Sequence, residues 1–389
     1  METIHIITIL SIAIVCYTYL GYPVILFLLS KMKGKEKSFD ATNDLPTVSL
    51  LIAAWNEEEI MEEKIQNCYE LDYPKDKIQL VFITDGSNDK TAEIVAKHEN
   101  IMLLHQTNRN GKTAAINRAM SFITSEITVF SDANAMLNEA AIKNIVRHYS
   151  NPKVACVSGE KRVSIPEKAA ASSAGEGLYW KYESKLKLWD SNLYSATGAA
   201  GELFSIRTSL FETVKEDTIL DDFMISMQLV IKGYKIAYEP NAYALENGSE
   251  NIQEEFKRKI RICAGAFQSM LRLLPLLNIF KYGIFTFQYV SHRVLRWTLA
   301  PLALFILLPI SIIGISFDFK MYAFISIAQV IFYLFAFFGW KYEKLKTRKK
   351  LFFVPFYFIM MNYSVLAGFR KFLWGSQEHV WQKAKRISL

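Results

Sequence analysis

Cysteine is scarce in this 389-residue chain. The four present (Cys16, Cys68, Cys156 and Cys263) have no paired spacing, which fits a reducing compartment and argues against a zinc site. No internal repeat or low-complexity segment is present. No interleaving of aromatic and basic residues points to nucleic acid, so none is expected as a partner. The first apolar run is too long for a signal peptide, and no small-residue cleavage site follows it. The apolar runs carry none of the intramembrane charges that a transporter or channel usually needs.

Apolar and aromatic side chains, by contrast, are abundant. Aromatics make up 14% of the residues, and the excess lies at the two ends. Ile4 to Leu29 is almost uncharged and is long enough to cross a hydrocarbon core of about 30 Å. Trp297 to Phe317 and Met321 to Trp340 read as two further spans, divided by the short turn at Asp318. Leu351 to Phe369 is a weaker fourth, interrupted by Pro355, Asn362 and Gly368, and a re-entrant or interfacial segment is slightly favoured there. Lys31, Lys33, Lys35 and Lys37 follow the first run, and residues 341–350 hold six Lys or Arg. Basic loops mark the cytoplasmic side, so the soluble stretch between the first two spans is expected in the cytoplasm. The net charge of +7 suits an anionic leaflet. The division expected is a transmembrane helix over 1–30, a basic linker over 31–45 and a soluble domain over 46–262. Interfacial helices over 263–296, a membrane region over 297–369 and a basic tail over 370–389 complete it.

From Pro46 onward, strand-like and helix-like patterns alternate. Buried runs at Val48–Ala54, Ile78–Ile83, Ile101–Leu104 and Ile127–Phe130 are separated by helical stretches at Glu57–Leu71, Asp89–His98 and Lys112–Phe122. Uninterrupted apolar strands of this kind belong to parallel sheets covered on both faces. Ligands of such sheets sit at the carboxyl ends of strands. Asn56, Glu57, Asp85 and Asp132 all fall at such ends, which argues for a common site. The second half is less regular. Ala169–Trp189 and Asp221–Lys232 read as helices, Lys235–Tyr238 as a strand, and Met136–His148 as a helix capped by Asp132 and Asn134.

Four acidic motifs occur in order: Trp55-Asn56-Glu57-Glu58, Thr84-Asp85-Gly86-Ser87, Ser131-Asp132-Ala133-Asn134 and Leu220-Asp221-Asp222-Phe223. Taken singly, each has a plainer explanation as a turn residue or a favourable helix start. Together, in this order, they resemble a membrane-bound, inverting family 2 glycosyltransferase with the nucleotide-sugar-binding α/β domain called GT-A. The resemblance runs from about Pro46 to Arg261. It implies a mostly parallel central sheet flanked by transmembrane helices at both ends.

What the resemblance implies can be carried over residue by residue. Asn56 and Glu57 match the nucleotide-binding entry motif, and Asp85 the carboxylate that accepts from a uracil ring nitrogen. Asp132 and Asn134 stand where the family has Asp-x-Asp, which holds Mg²⁺ or Mn²⁺ against the diphosphate. Here a neutral amide replaces the second acid. Lys112 closes a basic loop, Arg109 to Lys112, and either touches diphosphate or is an ordinary solvated lysine. Asp221 and Asp222 match the acidic pair whose second member is the catalytic base, needed because sugar hydroxyls are poor nucleophiles. Gly198 to Arg207 resembles an acceptor-side loop, in which Glu202 either meets a sugar hydroxyl or pairs with Arg207.

Processive members carry Gln-x-x-Arg-Trp after the acidic pair. This chain has Arg258-Lys259-Ile260-Arg261-Ile262, which keeps the diphosphate-reaching Arg261 and loses the indole that stacks on acceptor sugar. Further on, His292, Arg293 and Arg296 are either snorkelling interfacial residues or hold a lipid-linked diphosphate. The expectation is one sugar added from a UDP-sugar to a lipid-linked or growing glycan acceptor in surface polysaccharide synthesis, at a bacterial plasma membrane, with a divalent metal. A processive β-polysaccharide synthase and an inactive nucleotide-binding membrane scaffold are the alternatives.

Overall fold

The computed structural model describes residues 2–34, 44–164, 171–249, 251–345 and 349–375. Lys35, Lys37, the basic residues at 346 and 348, and the tail from residue 376 lie outside them. In chain order the N-terminal helices are α1 (Glu2–Cys16) and α2 (Tyr22–Lys33), joined by a π-helical turn. The first half of the soluble domain comprises β1 (Val48–Ala54), α3 (Met61–Tyr69), β2 (Ile78–Asp85), α4 (Thr91–Ala96), β3 (Ile101–Gln106), α5 (Lys112–Met120) and β4 (Ile127–Asp132). The second half comprises β5 (Met136–Leu137), α6 (Ala141–Val146), β6 (Val154–Ser164), α7 (Ala171–Leu193), β7 (Leu203–Arg207), α8 (Asp221–Ile231), β8 (Lys235–Asn247) and α9 (Ile252–Arg272). The C-terminal part holds α10 (Ile279–Tyr282), α11 (Ile284–Tyr289), α12 (Leu295–Trp297), α13 (Leu299–Gly314), α14 (Phe319–Lys344) and α15 (Lys350–Leu373).

The strands form one mixed sheet in the order β3-β2-β1-β4-β7-β6-β8-β5. β3, β2, β1 and β4 run parallel, as their apolar sequences predict; every residue of β1 is buried. β7 is antiparallel to both β4 and β6. The chain thereby reverses strand direction beside β4, where Asp132 ends its strand. One core cluster lies on each face of the sheet, one built around Leu50, Ile52 and Phe82 and the other around Leu51, Val81, Phe130 and Phe204.

The second half departs from expectation in two ways. The stretch expected as a helix from Met136 begins instead as β5, paired with Leu245 and Ala244 of β8, and only Ala141–Val146 is α-helical. The strand expected to end at Tyr238 continues to Asn247. It survives a register shift opposite Gly159/Glu160 because β6 stays paired with it on the far side. Cross-strand partners brought from 80 residues away decide both outcomes, and local pattern does not show them.

Among the described residues, three helical segments are long and apolar enough to cross a membrane: Glu2–Lys33, Phe319–Lys344 and Leu351–Leu373. Ile284–Trp297 with Leu299–Gly314 forms a fourth only as a pair bent by 46°. The ranking of the last segments therefore inverts the sequence reading. α15 is one continuous helix, and its three supposed interruptions are packing positions. Pro355 lies in the second turn. Asn362 accepts the Tyr19 hydroxyl at 2.5 Å. Gly368 lets the backbone of α15 approach Cys263 and Ala264 of α9 so closely that an added Cβ would sit 2.5 Å from the Cys263 side chain. Residues 263–296, expected as interfacial amphipathic helices, bury Cys263, Tyr289, His292 and Arg293.

Candidate active site

The donor side of the site is made by loops at the strand ends. Asn56 adopts a left-handed backbone with φ of 53°, a conformation that Asn tolerates better than most residues. Its side chain donates to Asn88 Oδ1 at 2.7 Å and accepts from the Asn88 amide at 3.0 Å, stitching the loop after β1 to the loop after β2. Asp85 Oδ2 accepts the amides of Asn110 and Gly111 at 2.9 and 2.6 Å. Burial raises the Asp85 pKa, against the pull of those amides. The Arg109 guanidinium meanwhile stacks 3.4 Å from the Trp55 ring centroid. Asp85 therefore fixes the loop that delivers Lys112. Neither Asn56 nor Asp85 lines the main cavity, whereas Glu57 does.

Lys112 turns inward. Its Nζ donates to Asp132 Oδ1 at 2.6 Å and stands 3.6 Å from Asp221 Oδ2. Burial alone would lower its pKa; Asp132, Asp221 and Asp222 outweigh burial and raise it, so the ammonium is firmly charged. It is a paired cation, not a solvated one. Beneath it, the fully buried Lys64 of α3 donates to Ser131 Oγ at 3.0 Å and to the Ala135 carbonyl. This clamps the segment carrying Asp132 and Asn134 from both sides.

Asp221 and Asp222 begin α8. Asp221 Oδ2 is buried and accepts no hydrogen bond. Burial first, and Asp221 second, push Asp222 up to about 7 against the pull of Lys112. A carboxylate with that pKa is matched to taking a proton near neutrality. Gly201 lies against it, with space for a Cβ only 3.2 Å from Asp222 Oδ2. Gly198, at φ +110°, makes room for Phe223: an added Cβ would fall 2.4 Å from that ring. Gly198 does not line the cavity. Its contribution is to seat the start of α8.

The cavity itself is about 2470 Å³ and runs from Glu57 past Asp132 and Asp222 to Phe353, Tyr357 and Met361 of α15. It brings together all the predicted site residues except Asn56, Asp85 and Gly198. Glu202 does not pair with Arg207. It accepts Lys161 Nζ at 2.5 Å, an ammonium shared with Glu246 at 2.5 Å, while Arg207 caps carbonyls of Val154, Tyr149 and Asn151. Burial would raise the Glu202 pKa; Lys161 overrides this and lowers it. Arg261 lines the cavity with no hydrogen bond or ion pair among the described residues.

Sequence reasoning missed the groups on α7. Glu183 receives Arg293 Nη1 at 2.6 Å, Arg296 Nη1 at 3.0 Å and His292 Nε2 at 3.3 Å. Burial opposes its ionisation, yet Arg293, His292 and Arg296 hold its pKa well below the usual range. Asp190 bonds His292 Nδ1 at 2.5 Å, the Tyr22 hydroxyl at 2.5 Å and Gln288 at 3.0 Å. Glu183, Lys187 and Asp190 recur at i, i+4, i+7, one helix face. Charges at that period within an aromatic-rich helix were the available signal.

Residues 49–214 match the model of glycosyl transferase family 2. The chain carries a family 2 glycosyltransferase domain. Among similar curated proteins, the poly-beta-1,6-N-acetyl-D-glucosamine synthase of Staphylococcus epidermidis is 23% identical over 309 residues, covering 75% of this chain and 73% of that protein. The enzyme of the same name from Staphylococcus aureus strain COL is 26% identical over 241 residues, covering 59% of this chain and 57% of that one. The chain thus spans a little over half the length of this S. aureus relative. The mannosyltransferase PcManGT from Pyrobaculum calidifontis, solved in complex with GDP-Man and Mn²⁺, superposes with a TM-score of 0.71 at 21% identity, over 95% of this chain and all of that one. That likeness establishes the GT-A fold of the glycosyltransferase.

Proposed function

We propose that the protein is a membrane-anchored, inverting glycosyltransferase. On this reading it moves a sugar from a UDP-sugar to a lipid-linked or growing glycan acceptor, in surface or exopolysaccharide synthesis at a bacterial plasma membrane. The observation that carries the reading is the buried carboxylate Asp222, with its pKa near 7, set beside Asp132–Lys112–Asp221 in one cavity. Proton removal from an acceptor hydroxyl by Asp222, as the hydroxyl attacks the anomeric carbon, leaves nucleoside diphosphate as the leaving group. Lys112 and the unpartnered Arg261 are the cations within reach of its phosphates. Asp85 serves the base by fixing the loop, with Glu57 toward the ribose.

A divalent cation fits the donor set. Asp132, with the amide oxygen of Asn134, would hold it, and the unsatisfied oxygen of Asp221 faces the same ammonium that neutralises Asp132. No group of three His, Cys, Asp or Glu able to hold a metal exists among the described residues. This agrees with Mg²⁺-type sites, which use one or two carboxylates and complete their shell with substrate phosphates and water. Such an ion supplies charge neutralisation on the departing diphosphate.

Names of the relatives make UDP-N-acetylhexosamines the first donors to try. One added sugar remains our reading because Ile262 offers no stacking face. The processive alternative draws on the cavity, whose volume exceeds the 300–1,000 Å³ or so of a single small-ligand site and which continues along α15. In the deciding experiment, detergent-solubilised protein is offered UDP-, GDP- and dTDP-sugars with Mg²⁺ or Mn²⁺ and bacterial lipid extract. Nucleotide release from one UDP-sugar, dependent on metal and lipid and lost in Asp222→Asn, is expected, and product length then separates single addition from polymerisation. UDP binding without release from any donor would refute the transferase reading in favour of a nucleotide-binding scaffold.

A further inference from the structure

Two of the cavity-lining cations that act electrostatically on Asp222 have no hydrogen bond or ion pair among the described residues: Arg261 on α9 and Lys187 on α7. They flank the same base. Arg261 couples electrostatically to Asp221, Asp132 and Asp222, and Lys187 to Arg293, Glu183, Glu202 and Asp222. Arg261 faces the donor phosphates of the proposed reaction. Lys187 has no such assignment, although it is only 4% exposed. An unpaired ammonium that deep is costly unless a partner arrives.

Of the carboxylates that act on it, Asp222 alone has no cation of its own, and it makes no ion pair with Lys187 among the described residues. Glu183 is already engaged by Arg293, Arg296 and His292. Glu202 is held by Lys161, and Asp190 by Tyr22, Gln288 and His292. Arg293 and Arg296 are likewise committed to Glu183, so removing them would strip a buried carboxylate as well as any ligand contact. Burial, with Arg293 adding to it, lowers the Lys187 pKa, and an anion bound beside it would favour the charged ammonium again.

We propose that Lys187 binds an anionic group of the acceptor, a phosphate ester, and so holds the acceptor hydroxyl over Asp222. This rests on the transferase reading above and names its acceptor class: a sugar that carries both the attacking hydroxyl and a phosphate ester, whether that ester links it to a prenyl lipid or not, in preference to a neutral glycan end. Lys187 is a binding residue in this scheme, and the proton still passes to Asp222.

The test uses the full chain in detergent with Mg²⁺ and UDP present, so that donor-phosphate sites are filled. A short prenyl phosphate, a sugar 1-phosphate and their neutral counterparts, prenyl alcohol and free sugar, are titrated by calorimetry. One phosphorylated probe is expected to bind at least roughly tenfold tighter than its neutral partner, as charge-assisted hydrogen bonds dictate. That margin should vanish in Lys187→Met and survive in Lys187→Arg. Whichever probe shows the margin identifies the lipid or the sugar as its source. Equal binding of charged and neutral probes to the unaltered protein would overturn the proposal without any variant. So would an unchanged margin in Lys187→Met. UDP affinity, measured in the same samples, separates the two layers: intact UDP binding with no phosphate margin rejects the Lys187 assignment alone, while absent UDP binding rejects the transferase reading beneath it.

Discussion

The two halves of the cavity, assigned above by proposal to donor and acceptor, are built by different means. On the donor side, Asp85, Asp132 and Lys112 stand at or just past the ends of short parallel elements, and each is fixed by the loop next to it. On the proposed acceptor side, Glu183 and Asp190 lie within one helix and gather partners from α2, α11, the turn of residues 290–294 and α12, 98 to 168 residues away. The first design tolerates exchange of the ligand, because loops at strand ends can be re-aimed without disturbing the sheet. The second welds the catalytic domain to the helices that read as membrane spans, so chemistry and anchoring share residues.

That contrast can be broken at measurable points. Asp222→Asn removes the base without removing bulk. Turnover should fall by roughly 10²–10⁴-fold while UDP affinity stays constant; a smaller loss would shift the base to another group. Glu183→Gln attacks the weld instead. Stripping the single carboxylate shared by Arg293, Arg296 and His292 should lower stability by about 3–5 kcal/mol, read as a drop in detergent-solubilised Tm. If the comparison holds, the donor-side analogue Asp85→Asn loses much less stability and shows its defect in UDP affinity. Gly198→Ala, strained by its positive φ and opposed by Phe223, should cost about 1–3 kcal/mol and slow turnover through a displaced α8.

The pH profile gives the mildest test. Asp222 works as the carboxylate, and its pKa lies near 7. The rate at saturating substrate should therefore rise with pH through about 7 and level off above it. An acid limb centred near 4, the range of an ordinary carboxyl, would show that burial and Asp221 do not act on the base as described.

The same division explains how much could be read beforehand. β1 to β4 and the acids at their ends were legible because fully buried parallel strands are uninterrupted apolar runs, and the motifs after them lie within a few residues of the strand they serve. β7 and the long β8 were not legible, since their pairing with β6 is decided across the sheet. Glu202 illustrates the limit. Its charge was conspicuous, but its partner Lys161 sits on β6, and nothing local to Glu202 names it. Lys187 was hidden for the opposite reason: its importance lies in a missing partner, visible only once Glu183 and Glu202 have been followed to their own cations.

Gly368 ties two scales of the molecule together. Its bare backbone packs against Ile260, Cys263 and Ala264, the residues that bracket Arg261 on α9. With α15 in a bilayer, the height and tilt of that helix are set by hydrocarbon thickness. The guanidinium that meets the donor then rides on the same mooring. Lipid composition becomes a mechanical input to the active site, delivered through a contact no wider than a missing methyl group.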